Sequence, residues 1–115
     1  MKQIFSILTI IMVFLVSGCL NNSEDMEQTI STDPQERCIE VCRDQIASDA
    51  ELHLGPCLSE KQGVEWNVDN WACDVAHQPR EIIDDTSLNQ CQEYRKERVE
   101  HFVEVSPNCE FIRKL

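Results

Sequence analysis

Asp33-Pro34-Gln35-Glu36-Arg37-Cys38-Ile39-Glu40-Val41-Cys42-Arg43-Asp44-Gln45-Ile46 is the stretch from which the rest of the chain is read. Asp33 is an N-cap carboxylate, Pro34 occupies the first helical position, where no amide hydrogen is needed, and Glu36 stands three residues after the cap. A helix therefore starts here and is expected to run to about Ala50. Cys38, Cys42 and Ile46 stack at four-residue steps with Ile39 beside them, opposite Glu40, Arg43 and Asp44. Cys38 and Cys42 thus share one face, and a bridge between them would strain the helix. Each has to reach a different element, which cuts the fifteen pairings of six cysteines to twelve.

Downstream, Gly55-Pro56 closes the helical region and Cys57 follows in a loop. Trp66 and Val68, then Trp71, Cys73 and Val75, alternate with polar neighbours around Asp69-Asn70, which predicts two short strands joined by a hairpin. His77-Gln78-Pro79-Arg80 breaks that pattern. Ser87-Leu88-Asn89-Gln90 reads as a second capping box, opening a short helix that carries Cys91 and Tyr94. Val99, His101, Val103 and Val105 alternate with Glu100, Phe102 and Glu104 as a further strand. Ser106-Pro107-Asn108 then turns the chain back toward Cys109, Phe111 and Ile112. There is no internal repeat. The expected class is α+β, a small disulfide-stabilised domain with an N-terminal helix, a short second helix and a small antiparallel sheet.

The chain has 115 residues, 7 of them cysteine, with 10 Lys+Arg against 21 Asp+Glu and a formal charge of -11. That length leaves room for one small domain, and that charge excludes most nucleic-acid binders, since phosphate neutralisation needs Lys and Arg. From Cys38 onward there are 78 residues with few large apolar side chains, a size at which a core alone is marginal. Three bridges among Cys38, Cys42, Cys57, Cys73, Cys91 and Cys109 would compensate, each by about 2 to 4 kcal/mol. The pairing favoured joins Cys42 with Cys57 across a short helix-to-loop return, Cys38 with Cys91, and Cys73 with Cys109 between two strands.

Upstream, Met1-Lys2-Gln3 is a short basic start followed by an apolar run, Ile4 to Val16, interrupted by Ser6 and Thr9 alone. About thirteen residues fall short of the roughly 20 that a bilayer span requires, so the run reads as an export signal. The boundary Val16-Ser17-Gly18-Cys19 resembles the lipobox of prokaryotic lipoproteins. The resemblance implies cleavage before Cys19 and diacylglycerol on its thiol. An ordinary secretory signal cut nearby is the plainer alternative. Cysteine arithmetic favours the lipid, because an odd thiol assigned to it leaves six that all pair. Residues 1–18 are then the signal, 19–32 a lipidated cysteine and an acidic tether, and 33–115 the globular domain. A flexible tether of this length spans roughly 20 Å. Losing Lys2 with the signal takes the formal charge to -12. Such a surface favours cationic partners, though solvation alone also accounts for it.

Rival chemistries have weaker spacing. Cys38-x3-Cys42 with His53-x3-Cys57 is a poor zinc pattern, and no Cys-x-x-Cys is present for redox exchange. A hydrolase could draw on His77 or His101 as base, Asp74 or Glu104 as orienting acid, and Ser87 or Ser106 as nucleophile, but no nucleophile elbow fixes them. Glu81, Asp84 and Asp85 lack the spacing and glycine of a calcium loop and read as a solvated segment, with Arg80 paired to one of the acids. The stretch Trp71-Ala-Cys-Asp-Val-Ala-His-Gln-Pro-Arg80, with Asn89-Gln-Cys91 and His101-Phe-Val-Glu-Val-Ser-Pro-Asn-Cys109, resembles short exported cysteine-rich archaeal proteins of unknown function. That resemblance implies a shared scaffold built on Cys73, Cys91 and Cys109, with His77, Arg80 and His101 as candidate binding residues.

The expectation is a lipid-anchored, extracytoplasmic binding or envelope-structural module. It contacts membrane lipid through Cys19 and a cationic protein or other envelope component through its surface, with no nucleic acid, catalytic residue, metal or cofactor assigned. A small exported hydrolase or a zinc-binding domain is the alternative.

Overall fold

The computed structural model describes residues 29–115. The expected signal 1–18, the expected lipidation site Cys19 and most of the expected 19–32 tether lie outside them. Helix α1 spans Pro34–Ala47, and the Asp33 carboxylate accepts the Glu36 amide at 2.9 Å. The reciprocal half of the expected box runs through Ser31, whose hydroxyl bonds Glu36 at 3.0 Å and accepts the Asp33 amide at 3.2 Å. The helix stops three residues before the expected Ala50. Asp49 takes the left-handed conformation at φ 56°, letting the Ala50 amide return to the Gln45 carbonyl.

Strands β1 (Trp71–Val75), β2 (His101–Val105) and β3 (Phe111–Lys114) form a three-stranded sheet in that order. The α+β class holds, but the sheet is mixed. β1 and β2 run parallel, with Trp71 opposite His101 and Asp74 opposite Glu104, while β2 and β3 are antiparallel. Parallel pairing needs a crossover, and the chain from Ala76 to Glu100 supplies it with 3-10 turns at Ile82–Asp85 and Ser87–Asn89 and a short helix α2 at Gln92–Arg95. The second helix is thus shorter than expected, and Cys91 caps it. No strand forms at Trp66–Val68. The outer edge of β1 is instead met by the Pro56–Ser59 segment, through the Leu58 amide on the Cys73 carbonyl at 2.8 Å and the Val75 amide on the Pro56 carbonyl at 3.1 Å. Trp66 packs against the main core and donates its indole N–H to the Trp71 carbonyl at 2.8 Å.

Helix α1 covers one sheet face. Cys38, Val41 and Cys42 pack there with Leu52, Leu58, Cys73, Val75, Val103 and Val105. Ile46, assigned to the same helical stripe, is instead exposed. The opposite face carries a smaller cluster of Ala72, Cys91 and Phe102.

All six cysteines of the domain are bridged, as Cys38–Cys73, Cys42–Cys109 and Cys57–Cys91. None of the three expected pairings occurs. The two sheet faces explain the difference. α1 lies on the face to which Cys73 points, so Cys38 meets Cys73, and the turn after β2 brings Cys109 to Cys42. Cys57 runs along the outer edge of β1 to the second face, where Cys91 receives it. The anticipated absence of a Cys38–Cys42 bridge does hold. With every sulfur of Cys38, Cys42 and Cys57 committed, the zinc pattern has no thiolate to use.

Candidate functional site

On the face not covered by α1, β1 contributes Asp74, β2 contributes Phe102 and Glu104, and β3 contributes Arg113. The crossover lays Arg80, Gln90, Tyr94 and Arg95 around them, and the result is a groove of about 330 Å³. Alternation along each strand puts Asp74 and Glu104 on this face, and the parallel register sets them side by side. Tyr94 meets Phe102 edge-on at 4.7 Å between ring centroids, and the Arg113 guanidinium lies 5.3 Å from the Phe102 centroid.

The two buried acids have different surroundings. Glu104 accepts from Arg113 Nε at 2.8 Å and Nη2 at 3.2 Å, and from Arg80 Nη1 at 3.2 Å. Arg80 also donates Nε to Asp85 at 2.9 Å, which bears out its expected pairing with one of the neighbouring acids. Asp85 first, and Glu104 after it, hold the Arg80 guanidinium still more firmly charged. Asp74 is 8% exposed, and its Oδ1 is buried with no hydrogen-bond partner. Burial, and next the Glu104 charge, push its pKa up from 3.8 to about 8. An unsatisfied buried carboxyl is uncommon in a folded interior and marks this groove out.

His77 belongs to a second cleft, of about 400 Å³, with His53, Pro79, Ser106 and Glu110 among its walls. Asp84 organises it. One carboxylate oxygen accepts the His77 and Glu81 amides at 3.0 and 2.9 Å, and the other lies 2.9 Å from His77 Nδ1. Burial alone would raise this carboxyl, but the two amides and the His77 ring outweigh it and hold Asp84 below the usual range. The acid beside His77 is therefore Asp84, in place of Asp74 or Glu104; within the acidic run Asp84 is a buried anchor, whereas Glu81 and Asp85 are exposed as expected of a solvated segment. Ser106 lines the same cleft, yet its hydroxyl accepts the Asn108 and Glu110 amides in the turn and is not bonded to His77. Ser87 stands apart in its 3-10 turn. His101 stacks on Trp71 at 4.6 Å, on neither cleft. Of the three candidate binding residues, Arg80 alone touches both clefts.

Gly55 is held against this anchor at φ +69°, where an added Cβ would lie 2.9 Å from Asp84 Oδ1 and 3.1 Å from the Val75 carbonyl oxygen. Gly55→Ala is therefore expected to cost about 1 to 3 kcal/mol in urea unfolding, through the left-handed backbone and the crowded carboxylate together. An unchanged midpoint would show that the Asp84 anchor has slack.

From sequence, Asp74 is expected as an orienting acid for a hydrolase histidine and not as a binding residue, although a signal for its place in the groove is present. Trp71-Ala-Cys-Asp-Val and His101-Phe-Val-Glu-Val each carry a single acid at the fourth position of an otherwise largely apolar strand. No helix of the described residues is long and apolar enough to cross a membrane. No protein-family model, no curated protein and no solved structure matches the chain.

Proposed function

We propose that the protein is a lipid-anchored module on the extracytoplasmic face of a cell membrane that works by binding, through the groove around Asp74 and Arg80. One observation carries the reading: six of the seven cysteines close into three bridges, which leaves Cys19 of the lipobox as the odd thiol. Disulfides form and persist outside the cytoplasm, and two or more acyl chains on Cys19 suffice for stable anchoring. A body of formal charge -12 without its signal is repelled by anionic headgroups, so the surface is free for a cationic protein or another envelope component.

Nonreducing mass spectrometry of the native protein is expected to give a chain starting at Cys19, six hydrogens lighter than its reduced form and heavier by the lipid. Cys19→Ser should release the domain from the membrane fraction. A reduced, unlipidated cytosolic chain would overturn the reading.

The His77–Asp84 pair supports a second reading, a small exported hydrolase, because it is the base-and-orienter half of a catalytic relay. The protein is expected to show no turnover on a panel of esters, peptides and glycosides. Wild-type turnover abolished by His77→Ala would establish the enzyme instead.

A further inference from the structure

We propose that the groove on the open sheet face binds a small organic cation, an ammonium or guanidinium group on an apolar body, with Asp74 Oδ1 accepting its N–H. This inference rests on the binding-module reading and names the ligand class.

Asp74 is more than nine-tenths buried, lines the groove and has a carboxyl oxygen that nothing in the described residues satisfies. Once ionised, a carboxylate only accepts hydrogen bonds, so a ligand that displaces the Asp74 proton must bring a donor to this oxygen. Its neighbours are already engaged. Glu104 on β2 is answered by Arg113 on β3 and by Arg80, Arg80 is answered again by Asp85, and Asp84 of the crossover is held by His77 and two amides. From α2, Tyr94 offers a ring and Arg95 stands exposed in the groove wall. The arginines nearest Glu104 thus spend their charge there, and Asp74 is the acid with capacity left.

The rest of the groove suits an apolar body. Tyr94 and Phe102 present ring surface beside the acid, and aromatic faces also attract a cation. A volume of about 330 Å³ fits one small molecule. A formal charge of -11 raises the local concentration of cations around the whole domain. A divalent metal is less well served, since Glu104, the one carboxylate paired with Asp74 in register, is already engaged with two guanidiniums. Because burial keeps the empty site protonated up to about 8, uptake of a cation would displace a proton to solvent.

The test is calorimetric titration of the full-length oxidised chain in detergent with 2-phenylethylammonium, using 2-phenylethanol and phenylacetate as neutral and anionic counterparts, at pH 6, 7 and 8. The ammonium is expected to bind best, with affinity rising by as much as about tenfold per pH unit and a proton released on binding. Asp74→Asn should weaken it at least about tenfold, the loss of a charged hydrogen bond. Preferred binding of phenylacetate, with affinity falling as pH rises, would overturn the cation class while leaving a binding module in place. Equal affinity for the alcohol, no binding of any probe to the folded chain, or an Asp74→Asn variant that still binds the ammonium normally would each overturn the inference as well. If Asp74→Asn does not fold, the wild-type pH series and the proton released on binding decide the same question.

Discussion

Replacing Cys38 and Cys73 together by alanine is expected to lower stability by at least about 4 kcal/mol and to leave much of the chain unfolded near physiological temperature. The bridge spans 35 residues, and releasing a closed loop of that length restores roughly 4 kcal/mol of chain entropy to the unfolded state. Packing adds to this. Both cysteines are 0% exposed, between α1 and the valines of β1 and β2, and two sulfur-sized voids at the centre of a thin core have little around them that can collapse inward. Cys57→Ala/Cys91→Ala is the matched control. Its bridge spans 34 residues, so the entropic part is nearly the same, but Cys57 is only partly buried and the cluster it joins is small. Urea unfolding of the oxidised proteins should therefore rank wild type above the Cys57/Cys91 variant and that above the Cys38/Cys73 variant. Equal losses in the two variants would mean that packing around Cys38 contributes nothing beyond chain restriction. A loss below about 1 kcal/mol in either would mean that this core does not depend on its bridges.

What could be read in advance follows the range of the forces involved. The start of α1 was legible because Asp33, Pro34 and Glu36 act within one helical turn, and the return after β2 was legible because Ser106-Pro107-Asn108 closes on itself. The direction of β1 was not, since a period of two looks the same in parallel and antiparallel strands and the partner lies beyond a crossover. Disulfide partners were hidden for the same reason. Cys42 and Cys57 are close in sequence but face opposite sides of the sheet, a relation that exists only once the sheet does. Ser87-Leu88-Asn89-Gln90 had the residues of a capping box without the helix length to use it, and the turn there makes no side-chain cap bond. The groove was beyond reach because its decisive feature is a missing partner. Asp74 looks like any acid in an acidic chain until its Oδ1 is seen to be buried without a partner while Arg80 and Arg113 are engaged with Glu104.

That missing partner has a consequence for stability against pH, which is the second large effect expected. The Asp74 carboxyl titrates at 3.8 in an unfolded chain and near 8 in the fold. Below the first value both states carry the proton and the fold suffers no penalty. Between the two, the unfolded chain has released a proton that the fold retains, so stability declines as pH rises, at up to about 1.4 kcal/mol per pH unit, and the decline levels off above the second value. Over the window from 3.8 to about 8 this amounts to several kcal/mol, a large share of what a domain of this size has. Asp84 acts in the opposite direction, because its folded value lies below 3.8 and its contribution is lost as pH falls through that lowered value. Urea midpoints should therefore peak in mild acid, fall on the acid side as Asp84 gains its proton, and fall from the peak up to about pH 8 while folded Asp74 keeps a proton that the unfolded chain has released. Asp74→Asn removes one titrating group and keeps the other, so it should flatten the alkaline limb, leave the acid limb in place and exceed wild type in stability at pH 8. Parallel profiles for the two proteins from pH 4 to 9 would show that Asp74 is solvated or partnered in the unliganded fold, and the case for a cation at that oxygen would lose its energetic basis. With a bound ammonium, the wild-type alkaline limb should rise toward that of the variant, since the ligand then answers the charge that burial leaves exposed to nothing.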